Sequence, residues 1–388
     1  MRLKTARVTL MAVALLLGCG SDPGPGAEAS DSGASAEAAA LDAAPAAILN
    51  SASASAPTTA TPLDSSVAED PMPDASGPSD SGADSGSDLD AGTASKPEAA
   101  TCPEGPLATR PFEGASVTAS EVCAGFTFTE GPVWVPSRGA LLFSDFQIGM
   151  ADQNYPGRII EHRPGADCQV LVADIGANGL ALAGDGRVLV CRHDLQVVGT
   201  LDPITLATDI LIADYQGTAF SSPNDITVRS DGTVYFTDPA WQIGNRSERL
   251  PQRAYRRVPA GELHVIDDIP RANGITLSPD GGRLYVSNGD SVRAYALGED
   301  GSTSTWSPFV DSGSDGMTVD CAGNLYITTA GVVRVHDPEA TLLGEIQLPE
   351  GADTTTNVAF GGPERRTLFI TGGSKLYAID LAIPGWPH

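Results

Sequence analysis

Six residues with side-chain oxygens stand at the heads of six similar segments: Glu130, Asn178, Asn224, Asn273, Asp315 and Asn357. Carboxylate and amide oxygens, with neither His nor Cys among them, form the donor set of a hard divalent cation. Glu130 and Asp315 would bring two negative charges, and Asn224 and Asn273 neutral oxygens. That set balances the ion and leaves room for water and a ligand. Adaptable distances and a high coordination number favour Ca²⁺, with Mg²⁺, Mn²⁺ or Zn²⁺ as alternatives. The competing reading is that Asn and Asp before a strand cap turns by bonding the local backbone. Ser and Gly should then appear at these positions as well, and they do not. Four of the nine Asn in the chain fall in this set.

The elements that must position these residues repeat with them. Successive heads lie 48, 46, 49, 42 and 42 residues apart, the size of one four-stranded blade. Each segment is a polar residue, a short apolar strand, a turn and a second strand, as in Asn273-Gly-Ile-Thr-Leu-Ser-Pro-Asp-Gly-Gly-Arg-Leu-Tyr-Val-Ser287. Asp185-Gly186, Asp231-Gly232 and Asp280-Gly281 predict tight hairpins, because such turns need positive φ. The second strands are rich in β-branched and aromatic residues, and no long apolar period of 3.6 residues argues for helix. Six such units predict an all-β fold, a six-bladed β-propeller with a central channel. Ring closure suits six units of this size better than a solenoid. The innermost strands should line the channel, with their first residues at one mouth.

The rest of the chain divides in two. Residues 1–18 read as an export signal: Arg2, Lys4 and Arg7, then an apolar run too short to span a bilayer. It ends at Leu16-Leu17-Gly18-Cys19, which resembles the bacterial lipobox, so Cys19 is the expected lipidation site. The protein would then be anchored to the cell envelope, at the periplasmic face or the cell surface, through lipid alone. Residues 19–101 are nearly all Ala, Ser, Gly, Pro, Asp and Glu, with 14 acidic residues and one Lys. That composition predicts a disordered tether with a reach of roughly 50 Å. Residues 102–388 hold the propeller. With 35 acidic and 19 basic residues, this part offers no basic patch for nucleic acid, whereas its field attracts divalent cations. It is expected to act as a monomer. Cys102, Cys123, Cys168, Cys191 and Cys321 are odd in number, so one must be free or paired between chains. No CxxC spacing marks a zinc site. A Cys102–Cys123 bridge is the expectation for the start of the domain.

The segments resemble the senescence-marker-protein/gluconolactonase family across nearly all of residues 110–380. The carriers are Glu130-Gly-Pro-Val-Trp134, Ser222-Pro-Asn-Asp225, Tyr235-Phe-Thr-Asp-Pro239, Asn273-Gly-Ile with Ser278-Pro-Asp-Gly281, Asp315-Gly-Met317 and Thr356-Asn-Val-Ala-Phe-Gly-Gly-Pro363. The resemblance implies a six-bladed, metal-dependent lactonase. By position it implies Glu130, Asn273 and Asp315 as metal ligands, Asn224 as a further ligand or substrate contact, and Asp315 as general base. Sugar-lactone members tend to carry Arg two positions before the residue matching Asn224. Ser222 stands there in this chain, which removes that grip on a sugar hydroxyl. Arg192 and Arg271 are candidates to replace it.

The expected reaction is therefore hydrolysis of a small lactone or ester, the metal polarising the carbonyl and Asp315 taking a proton from water. Asn178, His193 and Asn224 are expected to touch the substrate. Trp134 should be core or channel wall, and Asp225 and Asp238 should tie blade turns. Two alternatives stand beside this: an organophosphate triesterase acting through Asp315, and a non-catalytic binding propeller stabilised by calcium. No Gly-x-Ser-x-Gly elbow and no phosphate loop occur.

Overall fold

The computed structural model describes residues 101–146, 157–243, 250–352 and 354–387. The signal segment, Cys19 and the tether through residue 100 lie outside them. Among the described residues there is no helix; twenty-five strands form six sheets. The innermost strands of blades 1 to 6 are Thr129–Val135, Ala177–Leu182, Ile226–Val228, Ile275–Leu277, Met317–Val319 and Asn357–Gly361. Each touches the next, and the sixth touches the first. The ring therefore closes as the repeat predicts. The hairpin glycines Gly186, Gly232 and Gly281 take φ of 87°, 89° and 64°, as the Asp-Gly signals require.

The core is divided among the seams between blades. Val133, Leu142 and Ile159 of blade 1 pack on Ile175, Leu180 and Val190 of blade 2. Equivalent clusters fill the other seams, the last joining Phe369 and Leu376 of blade 6 to Leu141, Phe143 and Ile160 of blade 1. Trp134 stacks on Phe369 there, 7° from parallel, which places it in the core. Alternate residues of each strand feed opposite seams, so no blade buries its two faces without both neighbours.

Closure uses the beginning of the domain. Ser120–Ala124 supplies the outer strand of blade 6 by pairing antiparallel with Lys375–Asp380. Ser116–Thr118 adds a parallel fifth strand to blade 5 against Leu342–Gln347. The disulfides follow this geometry and overturn the expected Cys102–Cys123 bridge. Cys102 bonds Cys321, at the hairpin of blade 5, and Cys123 bonds Cys168. Cys123 lies on the closing strand of blade 6, beside the outer strand of blade 1 that Cys168 precedes. The first bridge joins the start of the domain to blade 5, far along the chain, and the second fastens the strand that completes blade 6 to neighbouring blade 1. Cys191 is free and buried.

Candidate active site at the channel mouth

The six head residues stand at the starts of the innermost strands by two backbone routes. Glu130 and Asn178 sit in β-bulges, where the register shifts between Glu130 and Val133 and between Ala177 and Leu180. A bulge re-aims a side chain out of the regular alternation. Asn224, Asn273 and Asp315 stand two residues before their strands, and Asn357 opens its own. Hydroxyls on the second strands pin this backbone across the seams. Ser144 Oγ donates to the Asn178 carbonyl at 2.6 Å, and Thr237 Oγ1 to the Asn273 carbonyl at 2.9 Å. Thr328 Oγ1 donates to the Thr356 carbonyl at 2.8 Å. Cys191 holds the corresponding place in blade 2.

A residue without a side chain follows four of the heads: Gly131, Gly179, Gly274 and Gly316. The sequence reading assigned these glycines no role, although their repetition was visible. The reason is close approach of consecutive blades. A Cβ on Gly131 would lie 2.0 Å from the Asn178 carbonyl oxygen, and one on Gly316 2.0 Å from the Asn357 carboxamide. Blade 3 departs from the pattern with Asp225. Its Oδ1 accepts from Ile226 N and its Oδ2 from Ile275 N, both at 3.0 Å. Asp225 thus ties blade 3 to blade 4, as a structural residue should. The fold also brings its charge to the same centre as Glu130 and Asp315, a role the sequence reading did not assign.

Three carboxylates from different blades thereby share one buried region. Glu130 is 5% exposed and accepts from Gly131 N at 3.1 Å. Burial first, then the Asp315 and Asp225 charges, push its carboxyl well above the usual range. Burial likewise raises Asp225, to about 7, with Asp315 adding to the rise. Burial raises Asp315 too, against the opposing hydrogen bond that Asn273 Nδ2 donates to its Oδ1 at 2.6 Å. The Asn357 amide helps hold the charges on Glu130 and Asp225. Asn178, 2% exposed, has a buried Nδ2 without a hydrogen-bond partner. Asn224 is buried beside it, its carbonyl accepting from Gly179 N at 2.7 Å.

The donor chemistry fits a hard cation: carboxylates that repel one another and amide oxygens at their side, with no thiolate among them. Among the described residues no three His, Cys, Asp or Glu side chains group as a metal cage. An ion here would therefore draw on amide oxygens as well. His193 is buried at the seam of blades 1 and 2, its ring edge-on to Phe146 with centroids 5.0 Å apart. Ser222 is buried and occupied: its N donates to Asp238 Oδ1 at 2.6 Å and its Oγ to Gln242 Oε1 at 2.8 Å. Asp238 also accepts from Ser221 N, tying the turn as expected. Arg192 and Arg271 are both paired with carboxylates, Asp194 and Asp290.

The raised acids have a thermodynamic consequence in chelator-treated protein. A carboxyl whose folded pKa exceeds its unfolded one binds its proton more tightly when folded. These groups therefore favour folding most below the unfolded carboxyl range, and that contribution is lost as pH climbs from about 4 towards 7. Each full pKa unit is worth about 1.4 kcal/mol. The Tm in chelator should fall between pH 5 and pH 7.5, and millimolar Ca²⁺ should reverse the fall. The Glu130→Gln/Asp225→Asn double variant should lose most of this pH dependence. A Tm in chelator that rises over the same interval in both proteins would contradict the cluster.

Fold and site together define a six-bladed propeller with a buried cluster of acids and amides at the starts of its innermost strands. The sequence profile described as the SMP-30/Gluconolactonase/LRE-like region matches residues 128–374. The chain belongs to that family. It is similar to the gluconolactonase of Zymomonas mobilis, with 30% identity over 285 residues, 66% of this chain and 80% of that protein. The pentonolactonase of Haloferax volcanii shows 32% identity over 290 residues, 67% of this chain and 92% of that protein. Among solved structures, a gluconolactonase from Xanthomonas campestris superposes with a TM-score of 0.59 at 27% identity, covering 71% of this chain and 99% of the other.

Proposed function

We propose that this protein is a lactonase-type hydrolase that opens a small lactone at the channel mouth and needs a divalent cation, Ca²⁺ before Mg²⁺, Mn²⁺ or Zn²⁺. Family membership and the lactonase names of its relatives support the reaction. One observation supports the site above the others: buried carboxylates from blades 1, 3 and 5 converge beside an Asn178 amide that has no internal partner. Glu130, Asn273 and Asp315 would hold the ion, with Asn224 as a further donor. When bound, it supplies Lewis-acid polarisation of the lactone carbonyl.

The chain's own groups do the proton work. Asp315 Oδ1 is engaged by Asn273 Nδ2, which leaves proton transfer to Oδ2. That oxygen takes a proton from a water as the water oxygen bonds to the carbonyl carbon. The ring carbon–oxygen bond then breaks, the departing oxygen recovers the proton, and a hydroxy acid leaves. Asn178 Nδ2 is a donor for a substrate oxygen, and Asn224 and His193 complete the contacts.

The test is turnover of a lactone panel followed by pH drop. Activity should vanish with chelator and return with Ca²⁺. Activity untouched by exhaustive chelation would defeat the metal requirement, and hydrolysis of phosphotriesters alone would defeat the substrate class. We propose also that the protein is exported and lipidated at Cys19. The intact mass of the mature protein should show residues 1–18 missing and an acylated N-terminus, and an unmodified Met1 would exclude it.

A further inference from the structure

Three arginines stand at strand ends or loops on the site's mouth, in blades 1, 2 and 4. None is free to meet an anion. Arg158 donates to Asp145 at 2.6 Å, and Arg192 grips Asp194 with two bonds of 3.1 and 2.6 Å. Arg271 is paired with Asp290. Arg271 matters most, because it lies two residues before Asn273. Its backbone takes the left-handed region, φ 58°, with its N donating to Gln252 Oε1 at 2.8 Å. Its guanidinium lies over Gly289, where a Cβ would come within 3.4 Å of Cζ. The side chain thus packs over Gly289 and pairs with the adjacent Asp290. Meanwhile the centre it flanks carries the Glu130, Asp225 and Asp315 carboxylates. Ser222 adds no compensating donor, since its hydroxyl is engaged with Gln242.

We infer that the mouth selects uncharged lactones over those bearing a phosphate, sulfonate or second carboxylate, and that Asp290 is a specificity residue that withholds Arg271 from such groups. This rests on the lactonase reading above. An anionic lactone meets acids that outnumber the divalent charge, and the guanidinium of Arg271 already has a partner. The pair is partly exposed, 46% for Arg271 and 74% for Asp290, so the effect should be modest and sensitive to salt.

The experiment compares one lactone with its phosphorylated counterpart in the full-length, Ca²⁺-loaded protein. At low salt, kcat/KM should favour the neutral compound at least tenfold, with the gap narrowing at 0.5 M salt. Asp290→Asn should raise kcat/KM for the phosphorylated lactone about threefold to fivefold and leave the neutral one within twofold. Adding Arg271→Gln to that variant should cancel the gain. Calorimetric binding of the two corresponding lactams gives a readout that needs no turnover, and the neutral lactam should bind more tightly. That order of binding without any hydrolysis would reject the lactonase reading and keep the charge selection. Equal binding, or Asp290→Asn without effect on the phosphorylated ligand, would overturn the inference.

Discussion

The Asp315→Asn protein is expected to fold and bind cation but to lose about 10³-fold in kcat/KM on lactones, within the usual range for removing a general base. The substitution is nearly isosteric and keeps an acceptor for Asn273 Nδ2, which donates at 2.6 Å. It removes the oxygen that can hold the proton of water. It also removes one of the charges that raise Glu130 and Asp225, so the cation-free variant should be at least as stable as the parent at pH 7.5. A structural carboxylate would behave differently: its loss would lower the Tm and spare the rate in proportion to folded protein. The pair of measurements is therefore decisive. Retained turnover in a folded, Ca²⁺-loaded Asp315→Asn protein would remove Asp315 from the chemistry.

The second large effect is on the ring itself. Gly131→Ala should destabilise by about 3 to 5 kcal/mol, among the larger costs of a single substitution. Two causes add. Gly131 has φ 49°, a region that costs an alanine about 1 to 2 kcal/mol. The added methyl would also lie 2.0 Å from the Asn178 carbonyl oxygen and 2.7 Å from the Gly179 Cα. Both atoms are backbone, so no rotamer change relieves the clash, and blades 1 and 2 must separate where Glu130 and Asn178 meet. Cation affinity should fall with the Tm. Gly184→Ala is the control: nothing lies within 4 Å of its would-be Cβ, and its stability should stay within about 0.5 kcal/mol of the parent. Equal melting of the two variants would refute the close-approach argument.

Composition and spacing alone determined a good deal here. The period of 42 to 49 residues, the Asp-Gly turns and the alternating strands specify six blades, because each signal is local: a turn needs its φ and a strand its period of two. The recurrence of a polar head, Glu130, Asn178, Asn224, Asn273, Asp315 and Asn357, was legible because one falls in each repeat, whereas the bulges that re-aim Glu130 and Asn178 were not. Tertiary structure decided what depends on contacts between blades. Asp225 follows a head and ties two blades, so its local setting shows only the structural task. Its charge joins Glu130 and Asp315 because the ring brings blades 1, 3 and 5 to one centre. The disulfides depend on which blade the first strands complete, and closure sends Cys102 to Cys321 and Cys123 to Cys168 across 219 and 45 residues. Arg271 reads as an available cation in sequence. Asp290, nineteen residues away, pairs with it only because the turn after Arg283–Ser287 folds back beside the loop that leads into Ile275–Leu277. Repeats write the blade into the chain, while ring closure sets every distance between blades and with it the electrostatics of the mouth.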